Sequence, residues 1–189
     1  MTGAVYRAAP LALIDLAQGS EYTRSNFIAY LAIMSRLSIE LPSHFPFSTT
    51  LTIGIGDINY GGHMGNDAVL RLAHEARLRF LKSLGHTEMD VHGCGIIMSD
   101  AAVVYRAEAF HGDELVVSVA VADFNKYGCD LLYAMVRKRD GTEIARVKTG
   151  IVFFDYQARK VARAPSAFVS RFQPTTDTDG ERHEGLPTE

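Results

Sequence analysis

The sequence predicts an α+β domain in which one strand passes through a glycine-rich loop into a single long helix, and four further strands follow. Three observations predict it. Residues 44–55 alternate apolar and polar with a period of two, residues 66–84 repeat apolar at helical spacing, and four strand-like segments separated by turn signals occupy 96–156. At 189 residues, with 47% apolar content, the chain fits one domain with an adequate core.

In the first segment Phe45, Phe47, Leu51, Ile53 and Ile55 have Thr or Ser between most of them, and the pattern stops at Gly56, which reads as a strand over 44–55. The next stretch, Gly56-Asp-Ile-Asn-Tyr-Gly-Gly-His-Met-Gly-Asn66, holds four glycines, two Asn and one Asp, a composition for a shaped loop. It feeds a helix over 66–84. Val69, Leu70, Leu72, Ala73, Ala76, Phe80, Leu81 and Leu84 form its wide apolar face, suited to lying against a sheet, with Gly65 or Asn66 as cap and Gly85 as stop. Strands are expected over 96–109, 115–125, 130–139 and 143–156; Asp140-Gly141 is a hairpin signal, and Leu115, Val117, Val119 and Val121 share one strand face. A short helix over 167–172 closes the domain.

These elements divide the chain into an N-terminal extension of unassigned order at 1–44, a domain at 45–172 and a disordered tail at 173–189 rich in Thr, Asp, Gly, Glu and Pro. Within the extension, residues 25–36 read as a docking helix, while Met34 reads as an alternative start.

A net charge of −3 without a basic run excludes a nucleic-acid footprint. No window reaches the ~18 apolar residues of a membrane span, and the start makes a poor secretory signal. Cys94 and Cys129 lack metal or redox spacing, which suits reduced thiols in a cytoplasmic protein. The histidines are dispersed without ligand pairs, so no metal is expected. His74-Glu75 lacks the second His of a zinc-protease helix, no Gly-x-Ser-x-Gly elbow occurs, and Gly54-Ile-Gly56 lacks the third Gly of a dinucleotide fingerprint.

The chemistry is expected where the loop meets the helix. A helix N-terminus presents unpaired N–H groups that suit an oxyanion or a polarised carbonyl, which nominates the backbone of Gly65 and Asn66. Gly61 and Gly62 permit positive φ or close approach of a ligand, although a plain tight turn predicts the same glycines. Glu75 lies inside the apolar stripe, as a functional carboxylate would; the alternative is an i±4 ion pair with Arg71 or Arg79. His63 can donate to a carbonyl or lock the loop.

The run Asp57-Ile-Asn59-Tyr-Gly-Gly62-His63-Met-Gly-Asn66, followed by Glu75-Ala-Arg77, resembles hotdog-fold acyl-CoA thioesterases, nearest the 4-hydroxybenzoyl-CoA thioesterase group, and the likeness spans roughly residues 45–160. The resemblance implies an antiparallel four-strand meander wrapped around the central helix. It also implies hydrolysis of an acyl thioester carried on coenzyme A or an acyl carrier protein, with CoA as part of the substrate and no separate cofactor. A homodimer or homotetramer is implied, with sites at the subunit interface to which Ser99, Asp100 or Tyr105 of a partner could contribute. Glu75 corresponds to the family's Glu of Glu-Ala-Arg and is expected to act as general base or nucleophile. The sequence departs from the family at Asn59, where several members carry the catalytic loop carboxylate. An amide can orient water or hold the thioester carbonyl but cannot attack, so the chemical load shifts to Glu75, with Asp57 shaping the loop. Arg77, Lys82, Arg106 and Lys126 are candidate cations for the CoA phosphates.

Two rival functions remain. Hotdog enoyl-CoA hydratases use Gly-Asp-x-Asn-Pro-x-His, which Gly56 to His63 approximates without the Pro and with Asp and His one residue farther apart. A non-catalytic acyl-CoA-binding module is the other. Acyl-chain identity, carrier and oligomer size are not encoded in these motifs.

Overall fold

The computed structural model describes residues 37–173. Strand β1 (Phe47–Thr52) is followed by a 3-10 turn (Ile55–Asp57), helix α1 (Asn66–Ser83) and strands β2 (Gly95–Tyr105), β3 (Glu114–Ala122), β4 (Gly128–Arg137), β5 (Glu143–Asp155) and β6 (Lys160–Val161). Helix α2 (Ser166–Phe172) ends the described chain. Each predicted element exists within a few residues of its expected bounds. β1 is shorter than expected because the backbone after Ile53 turns away: Ile53 N–H donates to Asp113 O at 2.9 Å and Asp57 N–H to Gly54 O at 3.0 Å.

All pairings are antiparallel, and the strand order is β1-β3-β4-β5-β2, with β6 beside β5. This corrects the expected four-strand meander. β3, β4 and β5 do meander, but β2 crosses to the far side of β5, pairing Ile97 with Val152 and Val103 with Val147, so β1 and β2 form the two edges. Leu115, Val117 and Val119 of β3, Leu131, Tyr133 and Met135 of β4, and Val147, Ile151 and Phe153 of β5 point to one face and are buried beneath α1.

Helix α1 buries Ala68, Val69, Leu72, Ala73, Ala76, Arg77, Phe80 and Leu81, a stripe that recurs every turn. Two expectations change here. Leu70, read as part of the apolar face, is 38% exposed, and Arg77, read as a surface cation, is buried. The helix ends in a Schellman motif: His86 N–H donates to Leu81 O and Gly85 N–H to Lys82 O, with Gly85 at φ +82, a left-handed conformation natural to glycine. Helix α2 plugs one end of the core through tilted aromatic contacts, Phe168 with Phe153 and Phe172 with Phe80.

The outer face of the sheet also carries chain. Ile39, 5% exposed, packs with Val104 and Leu132, and Arg146 Nη1 donates to Ile39 O at 3.0 Å. Residues 37–44, read as part of an extension, therefore begin to pack against the domain. The docking helix over 25–36, the alternative start at Met34 and the tail beyond Gln173 lie outside the described residues.

Candidate active site

The glycine loop is shaped chiefly by Asp57. Its Oδ2 accepts Gly54 N–H at 2.7 Å, its Oδ1 sits 2.7 Å from Arg71 Nη2, and its backbone O accepts Gly65 N–H at 2.8 Å. Arg71 Nη2 also donates to Gly56 O at 3.1 Å. Both oxygens of Asp57 are thereby occupied, as a loop brace requires. The tip is a narrow turn. Asn59 Oδ1 accepts Gly61 N–H at 2.8 Å, Asn59 N–H donates to His63 O at 2.9 Å, and Gly62 takes φ +80.

One nominated oxyanion donor is corrected by this geometry. Gly65 N–H already donates to Asp57 O, so it is not free to hold a substrate oxygen. Asn66, the first residue of α1 after the extended cap Gly65, has a backbone N–H with no protein acceptor among the described residues. Tyr105 stands beside it, donating from Oη to Asn66 O at 3.1 Å. Burial, and then the Asp67 carboxylate, push the Tyr105 phenol above its ordinary range, so it stays protonated as a donor. Tyr105 thus serves its own chain's helix, whereas Ser99 occupies a bulge of β2 and donates to Asp100 Oδ2 at 2.9 Å.

His63 lies on the loop with its side chain about one-third exposed. Nδ1 is 3.2 Å from Met64 O and 3.4 Å from Asn59 Nδ2, and Nε2 faces Glu108 Oε1 at 3.9 Å. Glu108 escaped the sequence reading because 106–109 continues the alternation of β2; the strand in fact stops at Tyr105 and the next residues bend toward the loop. Arg71 was read only as one of two alternative i±4 partners for Glu75; the structure gives that pairing to Arg79 and sets Arg71 against Asp57.

Glu75 pairs with Arg79 at 2.7 Å across one helical turn, and Arg79 Nη1 is fixed to Thr49 Oγ1 and Thr50 O of β1. The carboxylate is half-exposed. It lies nine residues beyond Asn66 in α1, about 13 Å along the helix axis. Within one chain the structure brings together Asp57, Asn59, His63, Asn66, Tyr105 and Glu108, and leaves Glu75 apart from them. Gly62 sits at the exposed tip of the same loop.

Two of the candidate phosphate cations are engaged elsewhere. Arg77 is 6% exposed and donates from Nε to Glu88 Oε1 at 2.6 Å, and Arg106 pairs with Glu143 at 3.2 Å. Lys126 lies over the Tyr127 ring, while Lys82 is exposed in the last turn of α1. Cys94 and Cys129 are free thiols, and burial pushes Cys129 up to about 12. Among the described residues there is no cluster of three or more His, Cys, Asp or Glu arranged to hold a metal, and no helix long and apolar enough to cross a membrane.

Solved structures share this architecture. A 1,4-dihydroxy-2-naphthoyl-CoA thioesterase from Synechocystis is 20% identical, with a TM-score of 0.60 over 67% of this chain and 94% of that one. A gentisyl-coenzyme A thioesterase is 17% identical, with a TM-score of 0.60 over 67% of this chain and 100% of that one. A thioesterase-superfamily protein from Jannaschia sp. CCS1 is 20% identical, with a TM-score of 0.60 over 77% of this chain and 89% of that one. No sequence among curated proteins matches the chain. The family model of the thioesterase-like superfamily matches residues 53–172, more than half of the chain and the whole run from the end of β1 to α2. With its antiparallel sheet packed around α1, the chain is a hotdog-fold member of the thioesterase-like superfamily.

Proposed function

We propose that the protein hydrolyses acyl-CoA thioesters in a site built by two copies of the chain. The observation that carries this reading is the Asn66 N–H at the start of α1, without a protein acceptor among the described residues and directly after the loop that carries Asn59 and His63, in a chain of the thioesterase-like superfamily. That donor suits the carbonyl oxygen of a thioester, whose negative charge grows as water adds. The carboxylate that activates water is Glu75 of the facing copy, because about 13 Å separates Glu75 from Asn66 in its own chain. Arg79 holds the Glu75 carboxylate in one orientation.

A second copy has a surface to meet. Ile97, Met98, Ser99, Asp100 and Ala101 of edge strand β2 are all exposed, so both faces of the edge are open over this stretch. The hydratase reading fares worse, since it needs Asp57 as a reacting group and both oxygens of Asp57 are held by Gly54 N–H and Arg71.

The test is thiol release from aliphatic and hydroxyaryl acyl-CoAs; two structural neighbours bear the names of hydroxyaryl-CoA thioesterases, which puts that class in the panel. Turnover by the wild type that falls ~100-fold in Glu75→Gln, with acyl-CoA binding retained, supports the reading. Binding without turnover by the wild type replaces it with a binding module, and turnover unchanged in Glu75→Gln removes Glu75 from the chemistry.

A further inference from the structure

We propose that His63 and Glu108 act as a proton-delivering pair for the departing thiolate, with His63 as the acid and Glu108 as the residue that positions and stabilises it. This rests on the thioesterase reading and adds to it a residue outside the loop and helix motifs.

Backbone contacts fix the pair. Met64 N–H donates to Ala109 O at 2.8 Å, which joins the residue after His63 to the residue after Glu108. Glu108 O accepts Arg137 Nη1 at 3.2 Å, and Arg137 is itself held by Asp140 and Asp113. The two side chains therefore meet because two loops are clamped together at their bases. Glu108 is two-thirds exposed, and His63 is the only ionic partner of its carboxylate among the described residues. The separation of 3.9 Å becomes a charge pairing when His63 is protonated; it is too long for a direct hydrogen bond, and it leaves Nε2 approachable by a third group.

The ring's other nitrogen identifies the proton that travels. Two groups compete for Nδ1: Met64 O at 3.2 Å, which can only accept, and Asn59 Nδ2 at 3.4 Å, which can only donate; the shorter contact assigns a proton to Nδ1. With Nδ1–H retained there, the ring gains or loses its second proton at Nε2 without breaking a protein hydrogen bond. Glu108 is the carboxylate that faces Nε2. Asp57 cannot play this part, being occupied by Arg71 and Gly54, and Asn59 carries no charge.

The step balances as follows. The water oxygen bonds to the thioester carbon and gives one proton to Glu75 of the facing copy. The C–S bond then breaks with its electron pair on sulfur, and sulfur takes the Nε2 proton of His63. The product acid and Glu75 release their protons, one of which returns His63 to its charged form, so the net change is thioester and water to carboxylate, thiol and one proton. Glu108 neither gives nor takes a proton in the step.

The test compares leaving groups. Glu108→Gln, Glu108→Asp and His63→Gln are assayed against an acyl-CoA, whose alkyl thiolate is basic, and against the same acyl group on 4-nitrothiophenol, whose thiolate leaves without a proton. Glu108→Gln is expected to lower kcat on the acyl-CoA ~10-fold and His63→Gln ~100-fold, with each within ~3-fold of wild type on the aryl thioester and Glu108→Asp between wild type and Glu108→Gln. Thermal melts confirm that the variants are folded. Equal losses on both thioesters, or no loss on either, overturn the pair while leaving the thioesterase reading standing. Absence of turnover by the wild type on every acyl-CoA overturns both.

Discussion

Replacing Glu88 by alanine strands a guanidinium between α1 and the sheet. Arg77 Nε donates to Glu88 Oε1 at 2.6 Å, the other oxygen of Glu88 takes His74 Nε2 at 3.0 Å, and Arg77 Nη1 is buried with no partner. The neighbouring Tyr133 hydroxyl, 3.2 Å from Thr149 Oγ1, is close enough to feel the Arg77 charge. The Arg77 side chain is 7% exposed and that of Glu88 25%, so the lost pair is mostly out of water. Breaking a buried ion pair from one side costs about 3–5 kcal/mol, and the partial exposure of Glu88 points to the lower end. At roughly 3 °C per kcal/mol for a domain of this size, Tm falls by about 10 °C. Urea unfolding followed by circular dichroism should show the same loss with the m-value unchanged. Arg77→Met, an unbranched apolar replacement that leaves Glu88 its His74 partner, should cost less than ~1.5 kcal/mol, and adding it to Glu88→Ala should recover most of the loss. The pH dependence follows from the same cluster. Burial alone pushes the Glu88 carboxyl up, but hydrogen bonds from His74 and Arg77 and the charge of Arg77 outweigh it and hold it below its ordinary 4.5. A carboxyl with a depressed folded pKa contributes stability that is present above 4.5 and lost as pH falls through the folded value, so the gap between wild type and Glu88→Ala should narrow in acid. The reasoning is refuted if Glu88→Ala melts within ~1 kcal/mol of wild type at neutral pH, or if Arg77→Met is as damaging as Glu88→Ala.

Asp57→Asn keeps the shape of the brace but removes its charge; with Arg71 half-exposed, the expected cost is only about 1 kcal/mol, seen as a Tm a few degrees lower with kcat reduced and not abolished. Complete loss of kcat at an unchanged Tm would instead make Asp57 a reacting group. On the proposed two-copy site, Ile97→Lys places a charge on the open β2 edge and should lower the mass measured by light scattering to that of one chain, with loss of turnover. A monomeric variant that retains full turnover would refute a site shared between copies.

The local pattern of the chain determined its elements. The alternation at 47–52, the helical spacing from Asn66 to Ser83 and the stop at Gly85 are legible because side-chain direction repeats with a period set by each element alone. The glycine loop was legible for the same reason, since φ +80 at Gly62 is a property of one residue and its neighbours. What needed the tertiary structure was each partnership between distant residues. Periodicity says that β2 is a strand but not that it lies beyond β5, and residue type offered Arg77 as a surface cation where folding buries it as an ion paired with Glu88. The candidate site divides in the same way. The places of His63, Asn59 and Asn66 on the loop and at the helix start were readable from the sequence, whereas the engagement of Gly65 N–H with Asp57 O and the approach of Glu108 to His63 depend on where the chain returns after folding. Hydrogen bonds and ion pairs act over a few ångströms in space, and one-dimensional spacing records such distances only within a turn or a hairpin.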